Sequence, residues 1–207
     1  SAVIDFFSSF DTGSHLTIII FLLIGTIITC IVQSSAAVMA ITIMLCSSGV
    51  LPIYLGIALV MGENIGTTAT ANLAALGANS QARRAALAHL VFNVIGVVWV
   101  MCLFYPFVDL VCSLVGYDPK STSYTVQQLT AKLPVVLAAF HTCFNITNTG
   151  VLIWFIPQIE KLVCKLIKNK NKEEDEEFRL RYIGGTTIMK TPELSVLEAQ
   201  KEIHSFG

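Results

Sequence analysis

Charge is what this sequence has least of. Only 13% of its 207 residues are Asp, Glu, Lys or Arg, where soluble domains carry about 25%. Between Leu16 and Val108 the charged residues are Glu63, Arg83 and Arg84 alone. No basic patch in this body is dense enough to neutralise a nucleic acid backbone, so that class of partner is excluded. Catalytic signatures are lacking as well: there is no G-x-S-x-G, H-E-x-x-H, Walker A or C-x-x-C sequence. Neither an enzyme nor a bound cofactor is expected. The six cysteines, Cys30, Cys46, Cys102, Cys112, Cys143 and Cys164, mostly lie in apolar runs. No pair has metal-ligand spacing, so they read as small buried hydrophobes. Asp5 and Asp11 precede the first apolar run and no basic stretch does. A cleavable signal peptide is therefore not expected.

What is present is apolar sequence in long runs. The chain is 54% hydrophobic and has a mean hydropathy of +0.71. A soluble fold of this size would leave too much apolar surface in water, so a lipid bilayer must be part of its solvent. The expected fold is an all-α polytopic membrane protein. Leu16 to Val32 is the first run; it stops at Gln33-Ser34-Ser35 and resumes from Ala36 to Cys46. Residues 16–46 therefore read either as a re-entrant hairpin or as a spanning helix with a break. Val50 to Met61 is interrupted by Gly62-Glu63-Asn64-Ile65-Gly66-Thr67-Thr68 and followed by Ala69 to Ala78. Ala85 to Val108 and Leu133 to Ile156 are long enough, at about 1.5 Å per residue, to cross a hydrocarbon core of roughly 30 Å. Asp109 to Lys132 reads as a polar loop, with a turn at Asp118-Pro119.

The character changes after Pro157. Lys161, Lys165, Lys168, Lys170 and Lys172 are followed by the acidic run 173–177. The expected division is a transmembrane unit over residues 1–160 and a cytoplasmic charged linker and tail over 161–207. Counting basic residues puts the tail, Arg83 and Arg84 on the cytoplasmic side of the cell's inner membrane. The pattern H-x-x-F-N occurs twice, at His89 to Asn93 and at His141 to Asn145. The histidines and asparagines read as interhelical hydrogen-bond partners rather than metal ligands.

In hydrocarbon every backbone polar group must be paired internally. Polar, glycine-bearing stretches at membrane depth therefore need protein or water around them. Such stretches form the ion and anion sites of secondary transporters, where helix ends and unwound backbone meet substrate. Serine and threonine hydroxyls, like Gln and Asn amides, can donate to an oxyanion and also present lone pairs to a cation. Gln33, Ser34, Ser35, Asn64, Thr67, Thr68 and Thr70 supply such groups. The competing reading is that small hydroxyl residues only let helices pack closely. Glu63 is the one acidic residue in this body: an ion or proton site, or a side chain reaching water at an interface.

Three ordered motifs, Gln33-Ser34-Ser35-Ala36, Gly62-Glu63-Asn64-Ile65-Gly66-Thr67-Thr68 and Ala88-His89-Leu90-Val91-Phe92-Asn93, resemble the Na/Pi cotransporter family. That family comprises the type II sodium-dependent phosphate cotransporters and their bacterial relatives. The resemblance spans residues 16–156. It implies two inverted repeats, each bringing a Q-S-S-S hairpin and a broken helix to a central site for phosphate and sodium. Gln33, Ser34 and Ser35 would then be substrate and sodium ligands, and Asn64, Thr67 and Thr68 the broken-helix ligands. Ala36 stands where the family has a third serine, and Glu63 where it has alanine. Only one Q-S-S motif and one G-x-N-I-G-T-T motif occur here, as in a second repeat alone, so the other repeat would come from a missing N-terminal half or another chain. Residues Phe178 to Tyr182 and Thr191 to Ala199 are similar to a linker that, in bacterial members, leads to a domain resembling the phosphate regulator PhoU. The expected function is sodium-coupled transport of inorganic phosphate by alternating access, this chain supplying half of the site. Transport of another small anion or ion, and a non-transporting phosphate sensor or scaffold, are the alternatives.

Overall fold

The computed structural model describes residues 2–168 and residue 200. The chain divides into two compact units, Ser1–Leu166 and Ile167–Gly207, and the first holds the apolar helices of the described residues. The acidic run and the linker-like sequence from Phe178 onward lie outside the described residues.

The described residues form helices and no strand. After a short α1 (Ala2–Ser8) come α2 (His15–Val32), α3 (Ser35–Ser47), α4 (Ile53–Ala74) and α5 (Ser80–Cys102). The remaining helices are α6 (Phe104–Val115), α7 (Val126–Leu152) and α8 (Ile156–Leu166). Three helical segments are long and apolar enough to cross a membrane: α2, α5 and the continuous stretch Val126–Leu166.

Local chemistry sets the ends. Gln33 takes a left-handed conformation, φ 56°, and stops α2 with its N–H donating to Thr29 O. Ser34 is extended, and its hydroxyl accepts from Ala37 N–H as the N-cap of α3. Asn79 caps α5 through Ala82 N–H at 2.9 Å. Thr125 and Gln128 form a capping box at the start of α7. The expected span from Ala85 to Val108 is instead two helices, broken at Leu103. Pro106 has no N–H to return to the carbonyl four residues earlier, which disfavours a continuous helix there. The expected loop from Asp109 is correspondingly shorter, since α6 runs on to Val115.

Helix α4 is the centre of the unit, and every residue from Ile53 to Glu63 on it is buried. The partner contacts define its neighbours' directions. Thr26 Oγ1 donates to Gly62 O at 3.1 Å, and one turn on Cys30 Sγ reaches Gly66 O at 3.7 Å. The numbers rise together, so α2 runs parallel to α4. On α3 the order inverts: Thr42 meets Glu63, whereas Cys46 meets Gly56. The chain therefore reverses direction at Gln33-Ser34, and residues 15–47 are a helix–turn–helix laid against α4.

The break expected at Gly62–Thr68 is absent, for α4 is continuous across it. Both glycines serve helix packing instead. A Cβ on Gly62 would collide with Leu22 O, and one on Gly66 would lie 2.7 Å from Thr26 O. Gly25 answers from α2, where a Cβ would meet Leu59 O. With no Cβ at these positions the two backbones come into contact. Gly62→Val should therefore cost at least about 2 kcal/mol, because the obstruction is backbone and cannot yield like a side chain. Gly150→Ala, with nothing within 4 Å, should be nearly neutral. Thermal melts of the two variants in detergent would separate them.

Candidate functional site

The turn of the hairpin comes to rest beside the C-terminal half of α4. Gln33, Thr67, Thr70, Ala71, Leu73 and Ala74 line a cavity of about 410 Å³ there. Gln33 is exposed and Ser34 and Ser35 are half-buried. The Ser34 hydroxyl is engaged as the α3 cap.

The polar residues of α4 are largely satisfied by their own helix. Thr67 donates to Glu63 O at 2.8 Å, Thr68 to Ile65 O at 2.8 Å, and Thr70 to Thr67 O at 2.8 Å. Each hydroxyl keeps lone pairs for a cation while its hydrogen bonds the helix. Thr68 is 1% exposed and Thr67 is exposed, so of the two only Thr67 lines the Gln33 cavity. Asn72 ties α4 to α5, with Nδ2 donating to Thr68 O and to Ala86 O, both at 2.8 Å.

Glu63 is 2% exposed, which removes the reading that it reaches water in this arrangement. Its Oε1 lies 3.2 Å from Thr42 Oγ1, and the same hydroxyl lies 3.0 Å from Val38 O. The single hydroxyl hydrogen serves one acceptor at a time. Donation to Val38 leaves the Glu63 contact to a protonated carboxyl; donation to Glu63 suits a carboxylate. No Lys or Arg among the described residues pairs with Glu63.

Asn64 turns toward α7, where its Oδ1 lies 3.2 Å from His141 Nε2. Its Nδ2 is buried and has no hydrogen-bond partner among the described residues, and neither has Thr29 Oγ1. The six expected ligands thus do not form one cluster. Gln33 and Thr67 share a cavity, Asn64 lies one turn before Thr67 and faces His141, Thr68 is internal, and Ser34 and Ser35 begin α3.

Polar residues that hold the helices together but are not among those the sequence singles out include Thr26 and Asn72, described above, and two more. Asn148, fully buried, donates from Nδ2 to Phe92 O at 3.1 Å and accepts from Trp99 Nε1 at 3.2 Å. It sits over Gly96, where a Cβ would lie 2.6 Å from its Nδ2, and so locks α5 to α7. Thr42 is the other. A polar residue inside an otherwise apolar helix is the available signal for both.

The described residues thus form a helical unit with three segments long and apolar enough to cross a membrane and a polar hairpin turn beside its central helix. The profile of the Na+/Pi-cotransporter family matches residues 14–115. Over those residues the chain matches that family, which is a family of transporters and not of enzymes. It is 27% identical over 185 residues to a protein of Escherichia coli (strain K12) named as an inorganic phosphate export protein, YjbB, covering 89% of this chain and 31% of that one. With YqeW of Bacillus subtilis it shares 30% over 149 residues, 72% of this chain and 44% of the other. With human sodium-dependent phosphate transport protein 2B it shares 40% over 89 residues, 41% and 12% of the two. The chain thus spans about a third of the length of the phosphate export relatives. No solved structure matches it significantly.

Thr42→Val should leave the buried Glu63 carboxyl without its partner and cost about 1–3 kcal/mol. Thr42→Ser, which keeps the hydroxyl, should recover most of that. Melting of the two purified variants checks it.

Proposed function

We propose that this chain supplies one half of a sodium-coupled transporter of inorganic phosphate that works by alternating access. The observation that carries the reading is the Gln33 turn seated against Thr67 and Thr70 of α4. It gathers uncharged donors and oxygen lone pairs at a helix junction without a fixed cation. Such a set can hold an oxyanion and sodium together and release both, since no permanent ion pair has to be broken. The relatives' names support the cargo: one states inorganic phosphate export and another sodium-dependent phosphate transport.

In this reading Gln33, Ser34, Ser35, Asn64, Thr67 and Thr68 form half of a phosphate and sodium site. A second, inverted repeat supplies the other half, from a preceding segment or from another chain. Residues 1–160 form the repeat in the inner membrane. Arg83, Arg84, Lys161, Lys165 and Lys168 face the cytoplasm with the tail of residues 161–207. A second reading, with another small anion or an ion as cargo, draws on the buried Glu63 carboxyl, one turn before Thr67 on α4.

Gln33→Ala and Thr67→Ala in the complete protein should each lower sodium-dependent phosphate uptake into proteoliposomes by about tenfold or more, the scale of one hydrogen bond to a charged group. Uptake equal to wild type at equal expression would remove that residue from the site. Phosphate uptake inhibited equally by sulfate or a small carboxylate would favour the second reading.

A further inference from the structure

The two H-x-x-F-N sequences are the same local device. In α7 Asn145 Nδ2 donates to His141 O at 2.8 Å, and in α5 Asn93 Nδ2 donates to His89 O at 3.0 Å. They part at the ring. His89 is exposed, whereas His141 is half-buried and reaches across to Asn64 on α4.

Counting hydrogens fixes what that contact does. The carbonyl end of an amide only accepts, so a bond from His141 Nε2 to Asn64 Oδ1 uses the tautomer with a hydrogen on Nε2. The Asn64 amino group, with two hydrogens, is then the buried end that has no partner among the described residues. Turning the amide over exchanges the ends but leaves the count unchanged: the ring engages one end and the other stays unpaired. An unpaired buried amide end is costly and calls for a reason. Asn64 and Thr67 are three residues apart on α4 and are surface neighbours. Thr67 lines the Gln33 cavity. Asn64 does not itself line that cavity in this arrangement; its buried amide lies one helical turn from Thr67, which does.

We propose that His141 is a positioning residue for ligand binding: by holding the Asn64 carbonyl, it commits the Asn64 amino group to an oxygen of the transported oxyanion. The inference rests on the phosphate-transport reading above and adds to it a residue of α7, outside the hairpin and the α4 motif. The ring does not touch the cargo. It decides which end of the amide faces it. A free side-chain amide would present its carbonyl as readily, and an oxyanion rejects a carbonyl oxygen.

The test is uptake of labelled phosphate by the complete protein in proteoliposomes, at saturating sodium. His141→Phe should raise the KM for phosphate about tenfold or more, the scale expected for a misdirected hydrogen bond to a charged group. His141→Gln, whose amide N–H restores the donor, should return to within about threefold of wild type. Asn64→Ala alone and Asn64→Ala combined with His141→Phe should share one KM, because the ring acts through the amide. If His141→Phe does not fold, His141→Met, similar in size and without a donor, takes its place in both comparisons. A glutamine variant no better than the phenylalanine one would overturn the proposal. So would an unchanged KM, or a double variant whose defect is the product of the single ones. Wild-type protein that takes up no phosphate would instead bring down the transport reading, and this inference with it.

Discussion

Gly25 on α2 and Gly62 and Gly66 on α4 let two parallel helices run with their backbones in contact, and that seam sets the position of the hairpin turn. Thr26 Oγ1 to Gly62 O and Cys30 Sγ to Gly66 O fix the register one turn apart. Three residues beyond Cys30 the helix ends at Gln33, which consequently lies level with the last turns of α4. Any side chain larger than hydrogen in the seam would push α2 away and carry Gln33 from Thr67 and Thr70. The glycines of the α4 motif thus set the place of the turn beside α4 through packing.

A second constraint is the satisfaction of polar groups away from water. Most of them on α4 are answered within a turn, by Thr67, Thr68 and Thr70 back to their own helix. Asn72 and Asn148 are answered across the α4–α5 and α5–α7 contacts. Against that background Asn64 Nδ2 and Thr29 Oγ1, with Ser47 Oγ at the end of α3, are buried groups without partners among the described residues. The first two belong to the α2–α4 pair. In a half-site these are the groups expected to be completed by cargo or by the other repeat.

The helices themselves are legible as apolar runs, and the stop at Gln33-Ser34 is legible because polar residues interrupt such a run without a turn signal of glycine or proline. The likeness to the family is legible from three short motifs in order. The continuity of α4 is not. Gly62 and Gly66 look like a break when read along the chain, because their role depends on Gly25 and Leu59, residues far away in sequence. The break at Leu103 is hidden within an apolar run although Pro106 marks it, and Pro134 shows why proline alone is an uncertain sign: α7 continues through it. The division of labour among the candidate ligands is also hidden. Nothing in the order Gln-Ser-Ser tells that Ser34 caps a helix while Gln33 lines the cavity, since that depends on the left-handed turn between α2 and α3.

The central claim is that this polar hairpin and the α4 residues beside it belong to a joint site for phosphate and sodium. Calorimetric titration of phosphate into the purified complete protein, once in sodium and once in potassium, tests it most directly. The account predicts saturable binding in sodium that is lost or greatly weakened in potassium. Binding of equal strength in both salts would contradict the coupling, and no binding to folded protein containing both repeats would contradict the phosphate site itself.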